Sequence, residues 1–131
     1  VCGPGRTTPI GTFRTPFKAA WHPLQGCWGQ YCTQITGNYL FHSSPYNSPN
    51  KNDLSYRLYN QLGTVCSHGC VRLTVADAKW IYDNCPLGTT VSIYNASSLP
   101  VPKPSAPWLD ISSPNRGWDP TDPDPANPRN K

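Results

Sequence analysis

Nine of the sixteen prolines in this 131-residue chain fall within residues 100–131. Proline lacks a backbone N–H and fixes φ, so that stretch can be neither a regular helix nor a central strand. Regular structure must come from residues 1–99. The chain therefore divides into a folded unit, 1–99, and a Pro-rich extended segment, 100–131. Trp108, Leu109, Ile111 and Trp118 make that segment too apolar for a solvated tail. It is expected to dock on the domain as far as about Trp118 and to fray beyond. Asp119, Asp122 and Asp124 alternate with proline, but the glycine and terminal Glu of a calcium loop are missing.

Within 1–99 the pattern is mainly β with two short helices. Ile10 and Phe13 alternate loosely in a strand over 7–15 that runs into Pro16. Residues 17–32 are aromatic and turn-rich, and Pro23, Gly26 and Gly29 should break any long element there. Residues 38–42 read as a short strand ending at His42. Leu54, Leu58 and Leu62 recur at helical spacing and predict a helix over 53–62, capped by Asn52 or Asp53 and ended by Gly63. A second helix is predicted over 75–84, with Thr74 and Asp77 spaced as a capping box and Pro86 and Gly88 closing it. Residues 89–95 alternate as a final strand.

The formal charge of +4 resides entirely in residues 1–99. It suits an anionic polymer, and solubility explains it equally well. No basic stripe or cluster occurs, which argues against a nucleic-acid partner. The chain begins at Val1 with no leader and contains no transmembrane segment, and so reads as a mature or trimmed sequence. Six cysteines in so short a chain point to an oxidising, extracytoplasmic setting.

Ser67-His68-Gly69-Cys70 carries the chemistry. A thiol is a weak nucleophile until ionised, and a histidine within reach can take its proton. Glycine beside the nucleophile lets backbone and substrate approach closely. Taken alone, Cys70 and His68 would be as readily structural as catalytic. Cys66, His68, Cys70 and His42 are also zinc-ligand types. However, Cys-x-His-x-Cys around a turn glycine lacks the paired Cys-x-x-Cys knuckles of zinc motifs, so no metal is expected. Papain-like order, with cysteine before histidine, does not fit either.

Three stretches appear in order: Thr8-Pro9-Ile10-Gly11-Thr12-Phe13, His42-Ser43-Ser44-Pro45, and Ser67-His68-Gly69-Cys70-Val71-Arg72. Together they resemble the motifs of the L,D-transpeptidase family, the YkuD-type catalytic domain of bacterial cell-wall enzymes. The motifs span residues 8–73 and the likeness continues to about Asn95. The resemblance implies a YkuD-type β-sandwich or sheet domain. Members usually carry further strands before the first motif, so part of the sheet is expected to be missing or supplied from elsewhere. Residues 17–32 would be the hairpin or loop over the active site, or else a structural loop whose Trp21 and Trp28 cover core.

The resemblance further implies cysteine-dependent acyl transfer on peptidoglycan stem peptides, at the cell wall, with no cofactor and with sensitivity to carbapenems. The same acyl-enzyme resolved by water would make an L,D-carboxypeptidase, and an inactive wall-binding module is the other alternative. Cys70 would be the nucleophile and His42 the base, the Ser43 carbonyl holding its tautomer, with His68 shaping the turn. The N–H groups of Gly69 and Cys70 are natural oxyanion donors. Arg72 suits a substrate carboxylate, or else a structural bond to the nucleophile loop. Ser67 and Tyr46 are placed on the substrate side, Tyr46 lining the donor pocket. The 24 residues between His42 and Ser67 exceed the family's common spacing and could reorient His42. With Cys70 free, at most two disulfides form. Cys2–Cys85 is the first expectation, if neighbouring strands bring them within range, and Cys27–Cys32 the next.

Overall fold

The computed structural model describes residues 1–98 and 102–131. In chain order it holds β1 (Gly11–Arg14), β2 (Lys18–Pro23), β3 (Trp28–Thr36), β4 (Tyr39–Ser43), α1 (Tyr56–Tyr59), β5 (Val71–Leu73), α2 (Val75–Asn84), β6 (Thr90–Ile93) and a 3-10 turn at Pro128–Asn130. The fold is mostly β with two helices. One sheet has the order β2-β3-β4-β5, antiparallel except for the parallel pair β4–β5, and β1 pairs with β6 in a second sheet. Helix α2 packs on β3, β4 and β5. Ile35, Val71, Leu73 and Ala78 form a buried cluster there, and Phe13, Val91 and Ile93 of the small sheet close over it. Thr74 caps α2 as its spacing predicts, accepting the Asp77 N–H at 3.2 Å.

Residues 17–32 take the hairpin alternative, but without the break expected at Gly29. They form a hairpin, β2–β3, closed by a bond from Leu24 N–H to the Cys27 carbonyl at 2.7 Å. Strand β3 runs straight through Gly29. A Cβ at Gly29 would meet Cys32 Sγ at 3.0 Å and His42 Cβ at 3.1 Å. This glycine therefore permits close packing; it does not break the strand.

The helix predicted over 53–62 shrinks to one turn, Tyr56–Tyr59. Tertiary bonds claim the backbone on either side. Leu54 bridges Tyr46 and donates its N–H to the Gly117 carbonyl at 2.9 Å, and Ser55 N–H goes to the Pro45 carbonyl. Asn60 exchanges two bonds with Leu109. Tyr59, off the predicted leucine stripe, is the helix residue that reaches the core. It joins Tyr46, Leu54, Val75 and Leu109 in a second buried cluster.

Leu109 brings the Pro-rich segment into that cluster, and Trp118 is also buried, whereas Trp108 is 76 % exposed. The chain does not loosen after Trp118, because Asp119, Asp122 and Asn127 are all buried. The aspartates before proline have a mechanical role here. Asp119, Asp122 and Asp124 each accept the N–H two residues on, at Thr121, Asp124 and Ala126, in consecutive Asx turns. Asp119 also accepts the Val75 N–H at 3.0 Å, and Thr121 Oγ1 accepts the Ala76 N–H at 3.0 Å. The segment thus satisfies free donors at the start of α2. Removing the Asp119 carboxylate would strand a buried N–H, a loss of about 1–3 kcal/mol. Asp119→Ala should lower the urea midpoint with an unchanged slope. An unchanged midpoint would mean that the segment merely rests on the surface.

Candidate active site

The nucleophile turn is held from below by the first residues of the chain. Cys66 and Ser67 donate their N–H groups to the Pro4 carbonyl, at 3.0 and 3.3 Å. Thr7 Oγ1 donates to the His68 carbonyl at 2.5 Å and Thr8 Oγ1 to the Gly69 carbonyl at 2.7 Å. Gly69 has φ +145°, and a Cβ there would meet Tyr39 Cε1 at 2.3 Å. A Cβ at Gly5 would meet Gly69 N at 2.2 Å. Both glycines are required by close approach, and Gly69 by its torsion as well. Ser67 Oγ donates to the Cys70 carbonyl and accepts the Gly69 N–H at 3.1 Å. Its hydroxyl is spent inside the turn, and one of the two expected oxyanion donors is engaged in the resting structure.

The sheet register brings an imidazole and a thiol to one face. Phe41 is opposite Val71 and His42 opposite Arg72, so Cys70 lies beside Leu40. Side chains alternate along a strand, so Leu40, His42, Cys70 and Arg72 share one face. The Cα atoms of His42 and Cys70 are then roughly 8 Å apart, one strand spacing across and two residues along. Cys70 Sγ itself donates to the Asn38 carbonyl at 3.4 Å. Burial raises its pKa, and the Leu40 N–H and the Arg72 charge partly oppose that.

His42 is 2 % exposed, and its Nδ1 lies 2.5 Å from the Ser43 carbonyl. A carbonyl can only accept, so Nδ1 carries the proton and Nε2 keeps its lone pair. Burial lowers the His42 pKa to about 4, the Ser43 bond opposes this, and the nearby Arg72 and His22 add to the lowering. At neutral pH the resting site thus pairs a neutral thiol with a neutral imidazole.

A cavity of about 660 Å³ opens over this face. Cys70, His42, His68, Ser67 and Arg72 all line it. Ser43 is buried behind His42, and its hydroxyl accepts the Gln30 N–H at 2.9 Å. The Arg72 backbone pairs with Gly3 on both sides, while its guanidinium Nη1 is buried without a hydrogen-bond partner. Tyr46 is a correction. It is fully buried, bridges Trp28 and Leu54, and packs edge-on against Trp21. Being core, it cannot line the donor pocket.

The long insertion before Ser67 packs onto the second core cluster and leaves the His42–Arg72 register intact. Sequence reasoning held Thr8 as part of the first motif without its bond to the turn, and missed Thr7, Asn38, Tyr39 and His22, the last also lining the cavity. Histidine scarcity was a usable signal, since the chain has only three.

All six cysteines are free thiols, which corrects both expected disulfides. The Cys2 carbonyl accepts the Gly63 N–H, so Cys2 runs beside the segment leading into the nucleophile turn, not beside β6. Cys27 lies in the hairpin turn just before β3 and Cys32 is buried within it, and the two thiols are not joined.

Residues 1–93 match the family model described as the L,D-transpeptidase catalytic domain, YkuD. The chain belongs to the YkuD L,D-transpeptidase family. It is 39% identical over 93 residues to YciB of Bacillus subtilis (strain 168), a candidate L,D-transpeptidase, covering 66% of this chain and 46% of that protein. Among solved structures it is similar to a fused Zn-dependent amidase/peptidase/peptidoglycan-binding domain-containing protein from Clostridium acetobutylicum ATCC 824. That likeness has TM-score 0.52 and 36% identity, over 71% of this chain and 38% of the other. The L,D-transpeptidase LdtMt1, solved in complex with imipenem, shares the fold at TM-score 0.53 and 21% identity, over 71% of this chain and 47% of its own. The chain spans about half or less of the length of each of these proteins.

The depressed pKa of His42 has a consequence for stability. The folded state binds this proton more weakly than the unfolded chain, from about 4 against 6.5. The His42 contribution is therefore complete above pH 6.5 and is lost as pH falls from 6.5 towards 4. Urea unfolding at pH 7, 5.5 and 4 should show a steeper acid loss in wild type than in His42→Gln. Equal slopes would mean that His42 titrates alike in both states.

Proposed function

We propose that the protein is a peptidoglycan L,D-transpeptidase working through a cysteine acyl-enzyme. The observation that carries this reading is the Nδ1–Ser43 pairing of a buried His42 on the same sheet face as Cys70. It leaves Nε2 as a base turned by register towards the thiol. In the proposed reaction Cys70 Sγ leaves its Asn38 partner, gives its proton to His42 Nε2 and attacks the carbonyl of the third stem residue. The Cys70 N–H, joined by that of Gly69 once it leaves Ser67, would stabilise the oxyanion. The C–N bond to the terminal D-alanine breaks and His42 returns the proton to the leaving amine. An amine from a second stem then resolves the thioester into a third-to-third cross-link.

Water in place of that amine would make the same site an L,D-carboxypeptidase, and mass spectrometry of the products from a disaccharide-tetrapeptide separates the two. We place the catalytic portion in residues 1–99, supported by 100–131, and the site of action outside the cytoplasm at the cell wall. Among the described residues no helix is long and apolar enough to cross a membrane.

Cys70→Ala should abolish turnover. His42→Ala should lower it by about 10²–10⁴-fold, the usual span for a general base, with the fold intact. His68→Ala should cost less, since His68 is exposed and its carbonyl, not its ring, is tied into the turn. If His68→Ala were inactive and His42→Ala near wild type, the two roles would be exchanged.

A thiolate with oxyanion donors will also open a strained lactam carbonyl placed where the scissile carbonyl sits, and the relative solved with imipenem supports testing this here. Intact mass after incubation with imipenem should show an adduct that Cys70→Ala lacks. No adduct on folded protein with a reduced Cys70 would favour an inactive wall-binding module.

A further inference from the structure

Two buried nitrogens on the wall of the active-site cavity have no hydrogen-bond partner: His22 Nδ1 and Arg72 Nη1. Buried polar groups are nearly always paired, and an unpaired one costs free energy, more so when charged. They come from opposite sides of the site. His22 stands on β2, in the hairpin, and its ring is held edge-on against Phe17 with centroids 5.8 Å apart. Arg72 stands on β5, with its backbone fixed by Gly3. In the sheet order β2-β3-β4-β5, His42 on β4 stands between the strands that carry His22 and Arg72, and both contribute to lowering its pKa. No aspartate or glutamate lines the cavity, and no ion pair among the described residues engages Arg72. The cavity wall therefore holds a cation and an imidazole nitrogen that donates when protonated, both unpartnered, and none of its described lining residues is an anion.

We propose that His22 and Arg72 together form a carboxylate-binding clamp beside the Cys70 thiol, with His22 as a specificity-determining residue. A carboxylate has two oxygens and can accept from both groups at once, and a guanidinium favours that planar geometry. Both nitrogens are covered in the resting arrangement, so entry of the anion must turn at least one side chain towards the opening. The ligand class is an acyl donor with a free carboxylate close to the carbonyl that Cys70 attacks. Assigning that carboxylate to a stem peptide rests on the transpeptidase reading above. The anion site itself rests on the cavity alone.

The test uses two alkylating reagents that differ in charge and hardly in size, iodoacetate and iodoacetamide, followed at the Cys70 peptide by mass spectrometry at low salt. Their rate ratio cancels the intrinsic reactivity of the thiol, which substitutions near Cys70 also change. The folded wild type should favour iodoacetate, relative to iodoacetamide, more than the urea-unfolded chain does. His22→Phe and Arg72→Gln should each lower that preference about tenfold, the factor for one charge-assisted hydrogen bond. His22→Gln, which keeps an N–H donor and covers the case in which the Phe variant fails to fold, should retain much of it. A ratio that is the same in wild type, His22→Gln and Arg72→Gln would overturn the clamp.

Turnover of a disaccharide-tetrapeptide and of its C-terminal carboxamide tests the assignment separately. A wild-type preference for the acid that collapses in the His22 and Arg72 variants ties the clamp to the stem peptide. If wild type turns over neither peptide while the alkylation ratio still responds to both residues, the clamp stands and the transpeptidase reading falls.

Discussion

Parallel strands cannot be joined by a tight turn, so the pairing of β4 with β5 forces residues 44–70 to cross over before the chain returns beside His42. Everything at the site follows from that register. Set His42 opposite Arg72 and Cys70 must fall two residues away on the same face. A slip of one residue would send Cys70 and Arg72 to the other side of the sheet, into the α2 core. What prevents the slip is packing on both sides of the nucleophile turn. Gly69 is pressed against Tyr39 of β4 on one side, and Gly5 against Gly69 on the other. The threonines at positions 7 and 8 then take the carbonyls of His68 and Gly69. The first motif and the nucleophile motif, far apart in sequence, are two halves of one support.

Burial has a second consequence, for charge. It pushes the Cys70 thiol up and the His42 imidazole down, so the resting pair holds its proton on sulfur. A preformed thiolate–imidazolium pair would react with any small electrophile that entered. A neutral pair transfers its proton only when something stabilises the ions that result, as the anion proposed beside Arg72 would. The Ser43 carbonyl contributes by fixing the tautomer, in the role an acidic residue fills in a serine triad. A neutral carbonyl orients the ring while stabilising its protonated form less than a carboxylate would.

The parts of this site that the sequence revealed are those whose chemistry is local. Thr74 caps α2 through a bond to a residue three positions on, and the cap, like the helix, lies where its spacing predicts. The order of the three motifs singled out Cys70, His42 and Ser43, and the structure places the first two on one cavity with Ser43 bonded to His42. The failures share a cause: partners distant in the chain. Leucines at helical spacing predicted ten residues of helix, but Leu54 gives its backbone to Tyr46 and Gly117 and the helix keeps one turn. Gly29 looked like a breaker because nothing in its neighbourhood shows that His42 and Cys32 will press against it. Tyr46 follows the His-x-x-Pro motif by one residue, yet the bridge to Trp28 draws it inward. His22 belongs to no motif, and only the hairpin brings it to the cavity.

Composition divides the chain at residue 99, but the buried contacts do not. Leu109 completes the cluster containing Tyr46, Leu54 and Tyr59, and the Gly117 carbonyl takes the N–H of Leu54. A Cβ on Gly117 would meet the Asn52 carbonyl at 2.3 Å, so the two segments lie in backbone contact. Asn127 then donates to the Asp119 and Asp122 carbonyls, which holds the Asp119 carboxylate against the start of α2. Proline suits this work. A segment that must cross a surface without a sheet partner has carbonyls to satisfy and gains from having fewer N–H groups. Each Asx residue before a proline takes up the next available N–H, so the backbone is nearly self-sufficient. The low conformational freedom of such a chain when unfolded also lessens the entropy lost on docking. An extended strap can then cover the middle of the crossover that the β4–β5 pairing requires, through Leu109 against Leu54 and Tyr59.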